Sequence, residues 1–219
     1  MDATHGTPVG DGRGAGASAS GSGAGLAAAL AEAVRGAKII VGVTGGIAAY
    51  KTATVVSRLA QAGAQVTVAM TENATRFVTP LTFQALSARH VYTSAWEHVE
   101  SQDPQHISLA SGADLALVAP CTMDCLAKLA TGRTDDVVTL ILSAVDRRRT
   151  PVLLAPAMNT VMWSQPSTQR NVRTLTEDGF AFIGPDEGWQ ACRHVGPGRM
   201  SEPETILAEI ARVVGGKKK

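Results

Sequence analysis

The fold is decided by residues 38–51, which read Lys38-Ile39-Ile40-Val41-Gly42-Val43-Thr44-Gly45-Gly46-Ile47-Ala48-Ala49-Tyr50-Lys51. The first part is apolar and rich in β-branched residues on both faces, which is typical of a central strand in a parallel sheet. The glycine pair predicts a tight turn, and the helix after it begins with N–H groups and a dipole that attract anions. The stretch therefore predicts a strand, a glycine turn and a helix start suited to a phosphate. The alternative is that the glycines serve only the turn.

Strands and helices alternate along the rest of the chain. The predicted helix over 47–62 ends at Gly63, and the strand Gln65–Met70 follows it, which makes one βαβ unit. Further buried strands are predicted at 114–120, 151–154 and 180–183, with helices between them. We therefore predict an α/β fold in one domain: a Rossmann-like, doubly wound parallel sheet in a flavodoxin-like three-layer sandwich.

The two ends of the chain differ in composition from this domain. Residues 1–25 are mostly Gly, Ala, Ser, Thr and Asp, and they carry too few large apolar groups to offset the entropy of ordering. Leucine, alanine and valine at helical spacing then predict a short helix over 26–35, docked on the domain or on a neighbouring subunit. We predict a disordered or partly helical extension at 1–36, a domain at 37–214 and a basic tail at 215–219.

The composition fits a globular protein and argues against several classes of partner. The chain has 219 residues, of which 45% are hydrophobic and 18% charged, and its formal net charge is +1. Because no basic face is evident, no nucleic-acid partner is expected. No apolar run reaches the ~20 residues that cross a bilayer, so no membrane partner is expected. Three cysteines without a credible signal peptide indicate a reducing, cytoplasmic setting in which a thiol can serve chemistry.

Two of the cysteines, Cys121 and Cys125, are four residues apart and can share one face of a predicted helix. A four-ligand metal site needs a second pair, which the sequence lacks. We therefore expect no metal and interpret both residues as small, buried hydrophobic side chains.

Two polar side chains are predicted at the carboxyl end of the sheet, where open α/β sheets bind their ligands. Asn159 follows the apolar run 151–154 and lies in a segment, 155–163, with one proline, two methionines and a tryptophan. It either points into a shaped, partly apolar pocket or caps the next helix. His106 begins a short predicted helix at the same end of the sheet, although such a histidine taken alone is most often a surface residue.

The third cysteine, Cys192, lies in the glycine-rich segment 188–200. Three glycines and a proline in this segment predict a mobile loop, and such loops often cover active sites. Neighbouring arginine and histidine side chains favour a thiolate if they lie close to the sulfur, and the alternative is a structural cysteine.

Five segments together resemble the homo-oligomeric flavin-containing cysteine decarboxylases, over about residues 38–214. They are residues 43–51, 106–107, 119–122, 156–163 and 191–200. The combination of Pro156-Ala157-Met158-Asn159 with the cysteine segment is far more specific than a glycine turn. The order of the segments along the chain also agrees with that family.

The resemblance implies an FMN-dependent decarboxylation of 4'-phosphopantothenoylcysteine to 4'-phosphopantetheine, in coenzyme A biosynthesis. In that family the cysteine moiety is first oxidised to a thioaldehyde, carbon dioxide leaves, and the resulting ene-thiol is reduced. No metal or external electron donor is implied.

The resemblance also assigns roles to the candidate residues. It implies that His106 serves the oxidative decarboxylation, that Asn159 holds the substrate carboxylate and that Cys192 supplies a proton during the reduction. The implied FMN contacts are Thr44, Gly45, Gly46, Ile47, Ala48, Thr71, Pro120 and Thr122. The implied substrate contacts are Asn159, Met158, Met162, Ala191 and Arg199, with Trp163 in the pocket wall.

The implied assembly is a trimer, or a dodecamer built from trimers, with flavin at a subunit boundary and a separate ligase that supplies the substrate. Two segments depart from the family pattern. Ala191-Cys192-Arg193-His194 stands where the family usually has Ala-Cys-Gly-Asp, which adds bulk and positive charge. Thr122-Met123-Asp124 stands where Thr-Ala-Asn is common, which changes two side chains beside the implied flavin contact at Thr122.

Several other functions compete with this reading. The nearest is decarboxylation of a peptide's C-terminal cysteine, as in lantibiotic maturation, but segment 196–200 favours the small substrate. A flavin prenyltransferase lacks the 156–163 segment. A regulatory flavoprotein that inhibits a phosphatase is the non-enzymatic alternative, and FAD remains open beside FMN. A nicotinamide oxidoreductase has only Glu72 in its favour, and the context of Glu72 favours a helix cap.

Overall fold

The computed structural model describes residues 20–96, 104–191 and 193–217. The helices are α1 Ser20–Val34, α2 Ala49–Gln61, α3 Glu72–Thr75, α4 Pro80–Ser87, α5 Gln105–Ser111, α6 Met123–Thr131, α7 Val137–Ser143, α8 Thr160–Ser164, α9 Pro166–Glu177 and α10 Pro203–Gly216. The strands are β1 Lys38–Val43, β2 Gln65–Met70, β3 Val91–Tyr92, β4 Leu115–Cys121, β5 Val152–Pro156, β6 Ala181–Phe182, β7 Asp186–Trp189 and β8 Val195–Arg199.

Six of the strands form one parallel sheet in the order β3-β2-β1-β4-β5-β6. Strands β1 and β4 are almost entirely buried, because helices cover both faces and every side chain meets a packed layer. The order is that of a Rossmann fold, and the chain changes direction across the sheet between β1 and β4. The predicted doubly wound parallel sheet is therefore confirmed. Its switch point lies at the carboxyl ends of β1 and β4.

Two hydrophobic clusters make up the layers on either side of the sheet. One cluster joins the sheet to α1, α2, α4 and α10, with Leu59, Phe83 and Ile210 fully buried. The other joins it to α5, α6, α7 and α9, with Leu126, Ile141 and Leu175 nearly or fully buried. The architecture is thus a three-layer helix–sheet–helix sandwich. None of the described helices is long and apolar enough to span a membrane.

The ends of the described chain pack onto the domain. Helix α1 begins at Ser20, earlier than the predicted residue 26, and its Leu30 and Val34 are buried against the core. At the other end, the Lys217 Nζ donates to the carbonyl oxygens of Asp114 and Arg149 at 2.9 and 2.6 Å. Residues 1–19, 218 and 219 of the predicted extension and tail lie outside the described residues. The boundaries at 36 and 214 stay predictions.

The glycine-rich segment that predicts a loop instead contains an antiparallel hairpin, formed by β7 and β8. Glycine and proline weaken a strand pattern in sequence, because they lack either side-chain packing or a backbone donor. Here the hairpin is stabilised by its contact with the residues after β5, which no local pattern reveals. The prediction of a loop over 188–200 was therefore wrong for both strands, while Cys192 itself lies outside the described residues.

Candidate functional site

The side chain of Thr44 is buried at the switch point, directly after β1. Its Oγ1 donates to the Pro120 carbonyl oxygen at 2.7 Å and accepts from the Thr122 N–H at 3.1 Å. These bonds join the carboxyl ends of β1 and β4. Thr44, Pro120 and Thr122, all predicted as cofactor contacts, are thus brought together in the crevice where open α/β sheets bind ligands.

The glycine turn lies directly above this crevice and approaches neighbouring backbone closely. A Cβ added to Gly45 would lie 2.5 Å from the Asn73 Cβ and 3.0 Å from its carbonyl carbon, whereas one added to Gly46 would meet Thr122 Cγ2 at 3.6 Å. Gly45 therefore cannot carry a side chain without displacing the segment after β2. The turn packs between the ends of β2 and β4, as its predicted role requires.

Helix α2 starts from this turn with Ala48 at its N-cap, where no side-chain cap is formed within the described chain. An uncapped start leaves backbone N–H groups available to a ligand, and the helix dipole adds positive potential there. Ile47 and Tyr50 beside it are each 61% exposed. The turn and the helix start thus offer backbone donors flanked by apolar surface, which suits a phosphate attached to an aromatic ring system.

Thr71, another predicted cofactor contact, ends β2 on the same edge of the sheet. Its backbone N–H donates to the Val43 carbonyl at 3.0 Å, and its Oγ1 accepts from the Ala74 N–H at 3.3 Å. Thr71 is therefore the N-cap of α3, and Glu72 is the first helical residue rather than the cap. In this cap the Thr71 hydroxyl oxygen is the acceptor, so the hydroxyl hydrogen can still be donated to a ligand.

Asn159 combines the two roles that the sequence leaves open. Its Oδ1 accepts from the backbone N–H groups of Val161 and Met162 at 2.7 and 3.2 Å, so it caps α8. Because the amide oxygen faces the helix start, the amide nitrogen points away from it, and an amide nitrogen is the atom of this side chain that can donate to a carboxylate. Capping therefore fixes the direction of the amide instead of excluding a functional role.

The apolar neighbours of Asn159 divide into two groups. Met158 and Trp163 are partly buried against the α5–α9 side of the core. Val161 and Met162 are 65% and 42% exposed on α8. In the single chain, Met162 thus lies on an open surface, whereas Met158 packs against the core.

The β7–β8 hairpin docks directly on the segment around Asn159. The Met158 N–H donates to the Gly198 carbonyl at 2.9 Å, and the Thr160 N–H donates to the Gln190 Oε1 at 3.1 Å. Gly198 has a φ of 129°, and a Cβ there would overlap the Met158 carbonyl oxygen. The predicted contacts Ala191 and Arg199 lie on this hairpin. Gln190 was missed from sequence, since a lone glutamine in a glycine-rich segment carries no signal.

A small charge cluster connects the hairpin to α2. The Glu202 Oε1 accepts from the Lys51 Nζ at 3.0 Å and from the Arg199 Nη2 at 2.9 Å. The Nε of Arg199 is buried and has no hydrogen-bond partner among the described residues. Two cations that share one carboxylate leave a net positive charge at this edge, which favours an anionic ligand. Lys51 and Glu202 were not predicted as site residues, because they are 151 positions apart.

His106 lies on α5, a different element from the groups described above. It is half-buried in the first turn of α5, in a shallow depression bounded also by Tyr92, Val137 and Ile141. Because α5 leads directly into the start of β4, its first turn lies at the carboxyl end of the sheet. The depression that His106 lines includes neither Asn159 nor the glycine turn, and the role of His106 stays a prediction.

The glycine turn, the Asn159 segment and the hairpin form a surface that is open to solvent at several of its side chains. A depression of about 270 Å³ lies elsewhere, between α6, α7 and Phe180, and its lining includes none of the predicted site residues. Exposed apolar side chains surround the open surface instead. They are Ile47, Tyr50, Val161, Met162, Trp189 and Val195.

The cysteines of α6 and β4 are buried, as predicted. Cys121 and Cys125 are 0% and 2% exposed, and both are free thiols. Burial, together with a hydrogen bond to Cys125, raises the pKa of the Cys121 thiol well above its usual value. Among the residues that the structure describes, no group of three His, Cys, Asp or Glu side chains could hold a metal.

Alkylation should distinguish these thiols from an accessible one. We expect iodoacetamide to leave Cys121 and Cys125 unlabelled in the native protein at neutral pH, because only an accessible thiolate reacts. Both should be labelled after unfolding. Peptide mass spectrometry before and after denaturation measures this, and native labelling of either residue would contradict the buried assignment.

A family model described as Flavoprotein matches residues 28–215, which is most of the chain. The chain belongs to the Flavoprotein family. One similar protein is the coenzyme A biosynthesis bifunctional protein CoaBC of Bacillus subtilis (strain 168). It is 48% identical over 169 residues, which cover 77% of this chain and 41% of that protein. This Flavoprotein chain spans less than half the length of the curated relatives it matches.

Solved structures extend the similarity to the whole domain. A mutant of PPC decarboxylase in which serine replaces a cysteine, complexed with pantothenoylaminoethenethiol, superposes with a TM-score of 0.70 at 29% identity, over 80% of this chain and 97% of that one. The FMN-dependent cysteine decarboxylase SpaF superposes with a TM-score of 0.69 at 31% identity, over 84% and 98% of the two chains. The observed sandwich is thus the fold of flavin-dependent cysteine decarboxylases.

Proposed function

We propose that this chain catalyses the FMN-dependent decarboxylation of 4'-phosphopantothenoylcysteine to 4'-phosphopantetheine, a step of coenzyme A biosynthesis. The observation that carries the proposal is the docking of the hairpin on the Asn159 segment, beside a glycine turn at the switch point. The similarity to nearly the full length of PPC decarboxylase supports it, as does the similarity to part of CoaBC.

The residues around the glycine turn fit FMN. Gly45 lets the turn pack closely against Asn73 after β2, and the uncapped start of α2 provides donors for a phosphate. The residues that would hold the cofactor are Thr44, Gly45, Gly46, Ile47, Ala48, Thr71, Pro120 and Thr122. Bound there, FMN would accept two electrons from the cysteine moiety of the substrate and later return them.

Asn159 would bind the carboxylate of the substrate. Its amide nitrogen is directed by the cap that its oxygen forms, so its donors meet the carboxylate without a further loss of side-chain entropy. The net positive charge around Arg199 and Lys51 would attract the phosphorylated substrate. Met158, Met162 and Ala191 would complete the substrate contacts.

Two groups would move protons. His106 would serve the oxidative half of the reaction, and the Cys192 thiol would protonate the substrate carbon as the ene-thiol is reduced. A thiol suits this role because its ordinary pKa of about 8.5 keeps it protonated near neutral pH yet able to donate. Cys192 itself lies outside the described residues, so its role rests on the resemblance.

We also propose that the site is completed in a homo-oligomer, a trimer or a dodecamer built from trimers. The exposed apolar side chains around the open surface support this, as does the absence of Asn159 from the lining of the depression at His106. A cytoplasmic location, and a separate ligase that supplies the substrate, belong to the same proposal. Sedimentation of the purified protein measures the oligomeric state, and a monomer with full activity would contradict this part.

One assay tests the proposed activity against its alternatives. The purified protein should show a flavin spectrum, with released cofactor identified as FMN or FAD by chromatography. It should release carbon dioxide from phosphopantothenoylcysteine and not from a peptide that ends in cysteine. Turnover of the peptide alone would favour the peptide decarboxylase, and bound flavin with neither activity would favour a regulatory flavoprotein. Protein that cannot be reconstituted with flavin would overturn the proposal.

Alanine at each glycine of the turn should separate steric from ligand effects. We expect Gly45→Ala to lower the free energy of unfolding by about 1–3 kcal/mol and to release flavin, because the added Cβ would overlap Asn73. Gly46→Ala has ordinary contact distances and should stay within about 0.5 kcal/mol of wild type. Denaturant unfolding of the flavin-free proteins measures both. Equal stabilities would contradict the close approach at Gly45.

A further inference from the structure

Gln190 is a buried polar residue that joins the hairpin to the segment carrying Asn159. It is 7% exposed and follows β7. Its Oε1 accepts from the Thr160 N–H at 3.1 Å, and its Nε2 donates to the Pro197 carbonyl at 3.0 Å and to the Gly196 carbonyl at 3.4 Å. Its backbone also bonds across the tip, from its N–H to the His194 carbonyl at 2.9 Å. The Gln190 side chain thus connects the end of β7 to β8 and to the start of α8.

The bond to Thr160 completes the cap of α8. Asn159 covers the N–H groups of Val161 and Met162, and Gln190 covers that of Thr160. The Thr160 N–H belongs to the peptide group that immediately follows the Asn159 Cα. Gln190 therefore holds the peptide plane on one side of Asn159, while the cap holds its amide oxygen. Between them, the two side chains fix the direction of the Asn159 amide nitrogen.

The hairpin is built to bring Gln190 to this position. Gly196 faces the Thr160 side chain so closely that an added Cβ would lie 2.6 Å from its Oγ1, and Gly198 abuts the Met158 carbonyl. Side chains at these glycines would push the hairpin away from the Asn159 segment. Because Gly196 and Gly198 have no side chains, the Gln190 amide can reach both the hairpin and the Asn159 segment and forms hydrogen bonds with each. A buried amide with such partners is costly to replace, since its loss leaves several backbone groups unsatisfied.

We propose that Gln190 is a positioning residue, which orients Asn159 toward the substrate carboxylate through the Thr160 N–H. This inference rests on the proposed function. It differs from a purely structural role in one respect: loss of Gln190 should weaken recognition of the carboxylate in particular, and not binding of the substrate in general.

A matched pair of ligands measures this difference. Phosphopantothenoylalanine has the carboxylate but no thiol to oxidise, and the corresponding ethylamide lacks the carboxylate. Calorimetry with the flavin-loaded enzyme gives both affinities. We expect the wild type to prefer the alanine conjugate, and Gln190→Met to reduce that preference about tenfold while ethylamide binding changes less than about twofold.

A second variant and a control accompany this measurement. Gln190→Asn keeps the amide but is one methylene too short to reach Thr160, so it should lose the preference too, even if the methionine variant does not fold. Glu187→Gln, an exposed change on β7, should keep the wild-type preference. If the folded Gln190 variants keep the preference, or lose affinity for both ligands equally, the positioning role is wrong. If the wild type binds neither ligand, the proposed function fails instead.

Discussion

Replacing Asn159 with aspartate is expected to preserve the fold and to reduce turnover by at least about 100-fold, the loss typical of removing one donor to a reacting oxyanion. Aspartate is as good an N-cap as asparagine, and its carboxylate can accept from the same two N–H groups at the start of α8. It cannot donate, however, and its charge would face the substrate carboxylate. The substitution thus removes the ligand role and keeps the structural one.

Steady-state kinetics and thermal unfolding together measure this result. Asn159→Ser is the matched control for charge, because serine also caps helices but carries neither the amide donors nor a negative charge. We expect serine to lose less activity than aspartate, with both variants close to the wild type in stability. Turnover of the aspartate variant within tenfold of wild type would show that Asn159 is only a cap.

The parallel sheet was predictable because its signals are local. Strands such as β1 and β4 are continuous apolar runs, and each is followed by a glycine or polar turn and an amphipathic helix. Such a run must be buried on both faces, which only a sheet covered by helices allows. The carboxyl-end placement of Thr44, Thr122 and Asn159 follows from this topology alone.

The hairpin and its contacts were not predictable for the opposite reason. Strands β7 and β8 contain glycine and proline and lack a regular apolar alternation, so their stability depends on the segment around Met158. The bond between Gln190 and Thr160 joins residues 30 positions apart. Only the folded chain shows that the glycines there serve close packing as well as flexibility.

The cap at Thr71 illustrates a smaller limit. Both Thr71 and Glu72 are plausible near a helix start, and composition alone cannot decide which one adopts the extended backbone of an N-cap. The structure gives Thr71 a φ of –67° and a ψ of 156°, and it places Glu72 inside the helix. The negative charge of Glu72 then interacts favourably with the positive end of the helix dipole of α3. This role removes the main argument for a ribose contact at Glu72.

Cys192→Ser should separate the two halves of the reaction. We expect carbon dioxide release in a single turnover to persist within about tenfold of wild type, while formation of phosphopantetheine falls by at least about 1000-fold. The reason is acidity: a serine hydroxyl holds its proton far more tightly than a thiol of ordinary pKa, so the carbon would not be protonated efficiently. The ene-thiol should therefore accumulate.

Quantifying carbon dioxide and phosphopantetheine in the same reaction gives the decisive ratio. The wild type should yield one of each, whereas Cys192→Ser should yield carbon dioxide in excess. Cys125→Ala is the control, because it removes a buried thiol without touching the hairpin and should keep the ratio at one. Two backbone bonds link the residues that flank position 192, from the Arg193 N–H to the Gln190 carbonyl and from the Gln190 N–H to the His194 carbonyl, and neither uses the side chain at 192. An unchanged ratio in Cys192→Ser would therefore assign the proton to another group, and misplacement of the hairpin would not explain it.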